Sequence, residues 1–114
     1  MAEHNLSGQL AEEKAAVFLK EKGYEILERN YRYRRSEIDI IAKRENIIVF
    51  VEVKYRSRNN FGDPESSVDE KKETQVLNAA ENYVFDKDWH GEIRFDIISI
   101  LRNQAIEHFE DAFG

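Results

Sequence analysis

The stretch SEIDIIAKRENIIVFVEVKYRSR, residues 36–58, decides the fold. Two apolar runs flank Glu45 and Asn46, and a two-residue turn there pairs residues whose numbers sum to 91, from Arg44 with Ile47 out to Asp39 with Glu52. In that register Ile38, Ile40, Ala42, Val49, Val51 and Val53 share one face, as a strand buried against a core requires. The other face carries Ile41, Ile48 and Phe50 at one end and Glu37, Asp39, Glu52 and Lys54 at the other. A slip of one residue would bury Lys54 and Glu37 instead, which argues for the register given.

Like charges directly opposite on a sheet destabilise it, and two close carboxylates must share a proton or a cation. Oxygen donors of this kind suit Mg²⁺ or Mn²⁺, which bind through one or two carboxylates, keep several waters and accept substrate phosphate. Lys54, two residues from Glu52 on the same face, would stand beside the ion as a point charge able to contact phosphate. Glu12 adds a third carboxylate pointing toward a buried helical stripe, and Lys72 holds a similar place one turn before Val76. Taken singly, each is better explained as an edge-of-core charge reaching for water. Together they outline a metal site.

Outward from the hairpin the chain organises simply. Ala11, Ala15, Phe18 and Leu19 recur at helical spacing over 7–22, with Gly23 as a C-terminal cap. YEILERNYRYR alternates like an edge strand, and EIRFDIISI is a fourth strand. SRNNFGDPES, with the only Pro, is a loop; Ser67 and Glu70 form a capping box opening a helix through Val76, Ala79, Ala80, Tyr83 and Val84. The order α-β-β-β-α-β predicts an α/β sandwich: a mixed sheet flanked by helices, its first three strands antiparallel and the fourth parallel to a neighbour after a right-handed crossover. Residues 1–102 make one domain, and 103–114 an acidic tail in which Ile106, Phe109 and Phe113 are spaced like a short amphipathic helix.

The chain has 114 residues and no cysteine, which excludes disulfide scaffolds and zinc-thiolate sites. No apolar leader or membrane-length run is present, so a cytoplasmic location and no membrane partner are expected. The net charge of −6 hides an asymmetry: residues 29–58 hold nine basic side chains against four acidic ones, so this segment is +5 and the remainder −11. A basic hairpin on an acidic body could aim a polyanion at one face, although strand ends also carry Lys and Arg simply for solubility. His4, His90 and His108 lie in the N-terminal arm, a loop and the tail, and read as surface residues; Trp89 and the Tyr and Phe residues read as packing. Phosphate-binding glycine loops and serine-hydrolase elbows have no local signature here.

EIDIIA followed by FVEVKYR resembles the Asp and E-x-K half-sites of the PD-(D/E)xK, restriction-endonuclease-like nucleases, and the order is similar to that of archaeal Holliday junction resolvases. More of the chain resembles the YraN-like uncharacterised bacterial family: GQLAEEKAAVFL, GYEILERNYRYRRSEIDIIA, VFVEVKYRS, SVDEKKETQVLNAAENYV and RFDIISI match in order. The resemblance implies a restriction-endonuclease-like sheet with the site at the end of the second and third strands. It makes Asp39 and Glu52 metal ligands, Lys54 the catalytic lysine and Glu12 the helix acid that completes the site. Lys72, Arg56 and Arg32 match positions facing a phosphate backbone. Ser36, Ala11 and Tyr55 depart from the Gly, Gly and Thr usual in the family, and Ser36 would narrow a backbone's approach to the site.

The leading expectation is a Mg²⁺-dependent endonuclease acting on DNA, with branched or distorted DNA among its candidate substrates, Arg32, Arg34, Arg35, Arg56 and Arg58 on phosphates, and salt-sensitive binding. A homodimer would suit junction cleavage. The rivals are a non-catalytic DNA-binding module on the same fold, and a protein-interaction domain using the tail.

Overall fold

The computed structural model describes residues 2–56 and 70–113, and side chains from residue 8 onward. Its elements are α1 (Ala2–Glu21), β1 (Glu25–Tyr33), β2 (Ser36–Arg44), β3 (Ile47–Arg56), α2 (Glu70–Asp86), β4 (Glu92–Leu101) and β5 (Ile106–Phe109). One sheet runs in the order β1-β2-β3-β4-β5. All neighbours are antiparallel except β3 and β4, which α2 connects in parallel. Ser67 and the whole SRNNFGDPES loop, Arg58 included, lie outside the described residues.

Helix α1 ends in a Schellman motif: Tyr24 N donates to Leu19 O and Gly23 N to Lys20 O, at 2.9 and 3.0 Å, with Gly23 at φ 93°. That cap turns the chain directly into β1, an edge strand whose outward Arg and Glu side chains discourage pairing with another chain. The β2–β3 turn is the two-residue one expected, with Glu45 at φ 56°, and the pairs from Arg44↔Ile47 to Ile40↔Val51 keep the register summing to 91. Gly91 lies against this turn. A Cβ there would fall 2.7 Å from the Asn46 carbonyl oxygen, which accepts a hydrogen bond from Glu92 N, so only glycine lets β4 start beside the turn.

The sheet separates two cores. Ala11, Ala15, Ala16 and Leu19 of α1 pack on Ile40, Ala42, Val49, Val51, Ile98 and Ile100. On the opposite face Val76, Ala79, Ala80 and Tyr83 of α2 cover Ile41, Ile48, Phe50 and Phe95.

Three expectations are corrected. Ile38 packs in the α2 core and not with Ile40, so the in-out alternation of β2 slips by one residue at Asp39. The tail is a strand and not a helix: Leu101 N bonds Ala105 O, Gln104 takes φ 75°, and Ile106–Phe109 pairs back onto β4. A bare strand edge offers backbone partners for every residue of such a return, which outweighs the helical spacing of three apolar side chains. Phe85 is 86% exposed, whereas packing was expected of it.

Candidate active site

The slip at Asp39 coincides with the end of the β2–β3 ladder. The last backbone pair is Ile40↔Val51, and one step further Val53 N donates to Asp39 Oδ2 at 2.8 Å, so a side chain takes over the role of a strand carbonyl. Asp39 and Glu52 therefore lie where the two neighbouring strands part, each still paired to its outer neighbour. Glu52 is buried, and its Oε2 receives Lys72 Nζ at 2.7 Å and Lys54 Nζ at 3.6 Å. Strand β3 supplies Glu52 and Lys54 from one face because they are two apart, and the first turn of α2 brings Lys72 over them.

Electrostatics distinguish the two acids. The pKa of Asp39 is raised to about 7: burial is the largest cause, the charges of Glu52 and, less, Glu12 act in the same direction, and the Val53 amide and Lys72 pull the other way. For Lys72, burial disfavours the charge. The hydrogen bond and charge of Glu52, with Asp39 and Glu37 behind, outweigh it and hold the pKa above the usual lysine value. The cluster thus lacks positive charge on the Asp39 side.

The remaining expected residues divide. Glu12 is half-buried on α1, and its Oε1 accepts from Asn30 Nδ2 at 3.2 Å, so it approaches Asp39 from the face opposite Lys72. Arg32, Arg34 and Arg35 are exposed on β1 and the β1–β2 turn, and Arg56 is half-buried at the end of β3. Arg58 lies outside the described residues.

Oxygen donors on two strands suit a hard cation, whose charge would relieve the Asp39 side. Among the described residues no group of three or more His, Asp or Glu side chains could hold a metal ion. An ion shared by Asp39 and Glu52 would complete its coordination with water and substrate oxygens, in the manner of Mg²⁺.

A second buried acid was missed. Asp96 in β4 is fully buried; Arg94 Nε and Nη2 donate to its two oxygens at 2.9 and 2.8 Å, and Asp111 N donates at 3.0 Å. His108 Nε2 lies 2.7 Å from Oδ2, and Arg94 Nη2 also donates to Tyr24 OH at 2.6 Å. Lys22 Nζ lies 3.0 Å from His108 Nδ1, so both ring nitrogens have a partner. The His108 side chain is thus buried, whereas a surface position was expected of it. The signal available in the sequence was R-x-D inside an apolar strand, because residues two apart share a face.

Acids gathered at the open end of a mixed sheet between two helices define an α/β protein with a carboxylate–lysine cluster between its second and third strands. The chain belongs to the uncharacterised protein family UPF0102, the YraN-like family, whose sequence model matches residues 11–100. It is 49% identical to a UPF0102 protein of Christiangramia forsetii over 99% of this chain and 98% of that one. It is 48% identical to one of Flavobacterium psychrophilum with the same coverage, and 44% identical to one of Persephonella marina over 95% and 93%. No helix among the described residues is long and apolar enough to cross a membrane.

Proposed function

We propose that this protein is a metal-dependent nuclease that hydrolyses DNA phosphodiester bonds. The observation that supports it best is geometric: two acids on neighbouring strands meet where the ladder ends, with Lys54 and Lys72 against one of them. Asp39 and Glu52 would hold Mg²⁺ or Mn²⁺, which when bound polarises the scissile phosphoryl group. Lys54 would lie against the charge developing on phosphorus, and Lys72, released from Glu52, would contact the phosphate backbone. Glu12 would hold a water from the α1 side. Arg32, Arg34, Arg35, Arg56 and Arg58 would grip flanking phosphates, with affinity falling as salt rises.

The Lys72–Glu52 pair favours one other reading, a nucleic-acid-binding protein on a nuclease fold, because that pair already neutralises one acid. Cleavage assays on duplex, flap and branched DNA with Mg²⁺ or Mn²⁺ separate the two. The nuclease cuts at least one substrate, and Glu52→Gln and Lys54→Ala lose turnover while keeping most of the affinity. A non-catalytic binder cuts none and binds in a salt-sensitive way indifferent to Glu52→Gln.

A further inference from the structure

We propose that the groove between the β1–β2 turn and the outer stripe of α2 binds unpaired nucleotides, so that the substrate carries a single-stranded arm. The statement about the substrate rests on the nuclease reading; the binding site itself does not.

The groove encloses about 770 Å³, within the range of cavities that hold a ligand-sized group. One wall is the turn, with Arg34 and Arg35 exposed and in no ion pair among the described residues. The opposite wall is a stripe of α2 in which Gln75, Asn78 and Asn82 follow at helical spacing and Phe85 ends the row. Two guanidiniums outweigh the single carboxylate of the lining, Glu81, so the groove as a whole suits an anion. Carboxamides carry both donors and acceptors, as needed to meet the edges of bases; Asn82 Nδ2 already donates to Tyr31 OH at 2.8 Å, which leaves Gln75 and Asn78 as the freer pair. Phe85, 86% exposed, presents a ring for a base to stack on.

Arg34 takes φ 59° in the β1–β2 turn, as Glu45 takes 56° in the β2–β3 turn, and its guanidinium lies 5.2 Å from the Tyr33 ring. Position matters as well: Gln75 stands one turn beyond Lys72, which touches Glu52, and Ser36 in the lining precedes Glu37. A strand lying in the groove leads to the acid cluster.

The shape favours unpaired bases over a duplex. Reading a double helix through the major groove takes an element that protrudes, whereas the carboxamides and Phe85 face a concavity walled by the turn. Bases freed from pairing can meet these groups edge-on and ring-on.

The test is fluorescence anisotropy of labelled oligothymidine, against a duplex of equal length, on the whole chain. The native protein prefers the single strand. Phe85→Ala, at an exposed position that leaves the core intact, weakens that binding about five-fold or more. Replacing Arg34 and Arg35 together by Ala lowers the slope of log affinity against log salt by ~1.4, the release expected for two phosphate contacts on a single strand. Lys14→Ala on α1, across the sheet, changes neither, and Glu52→Gln retains single-strand binding. Preference for the duplex, or single-strand binding unmoved by both groove variants, overturns the inference even if cleavage is found. Groove-dependent binding without cleavage by any metal would sink the nuclease reading and leave the groove standing.

Discussion

Two aspartates on the same sheet, Asp96 fully buried and Asp39 half-buried, have opposite fates. Asp96 is met by Arg94, His108 and the Asp111 amide; burial alone would raise its pKa, but these hydrogen bonds and the Arg94 charge bring it below the ordinary value. Asp39 is met by one backbone amide and faces two other acids, and its pKa stands at about 7. A carboxylate whose surroundings are complete joins elements together, here β4, β5 and the end of α1. One whose surroundings are deficient in positive charge is a candidate for chemistry.

The largest expected effect comes from destroying the complete site. Asp96→Ala leaves the half-buried Arg94 without its main partner and the Asp111 amide without its acceptor, and should lower the unfolding free energy by about 3 kcal/mol, measured by urea denaturation. A loss too small to measure would mean that the network is incidental.

Asp39→Asn should act in the opposite direction. The folded pKa of Asp39 lies above the ordinary 3.8, so the folded state binds more protons between the two values and stability falls as pH rises from about 4 to about 7. Asn cannot ionise and can still accept from Val53 N. The variant should therefore be more stable than the native chain at pH 8, by about 1–3 kcal/mol, with the advantage vanishing near pH 4. For Asp96 the sign reverses: its contribution is present above 3.8 and is lost as pH drops through its lower folded value. A native-like stability profile for Asp39→Asn would erase the contrast between the two acids.

The smallest effect sharpens the comparison from outside. Glu13 also has a lowered pKa, through its 2.9 Å hydrogen bond and ion pair to Arg29, but at the surface. Glu13→Ala should leave the denaturation midpoint unchanged, because a shifted pKa signals stability only where solvent is excluded.

The hairpin was legible because both its strands bury one apolar face, which fixes the register, and a two-residue turn fixes the pairing. The slip that sends Ile38 to the α2 core left no trace, since it depends on Asp39 replacing a ladder partner and involves no Gly or Pro. Strand β5 was misread because four residues are too few to display a period of two, while Ile106, Phe109 and Phe113 happen to match a helix. Of the candidate site, Asp39, Glu52 and Lys54 were placed together by spacing on the hairpin alone. Lys72 on Glu52 was not, because contact between a helix and a distant strand is set by packing. Phe85 escaped notice for a simpler reason: an aromatic residue in an amphipathic helix is usually covered.

Calorimetric titration of Mg²⁺ into the native chain, Asp39→Asn and Glu52→Gln, at a pH above 7 where Asp39 is ionised, tests the central claim most directly. The account predicts a single site in the native protein that is lost in both variants although both remain folded. Absence of Mg²⁺ binding to the native chain, with DNA present or not, or binding that survives both substitutions, would contradict it.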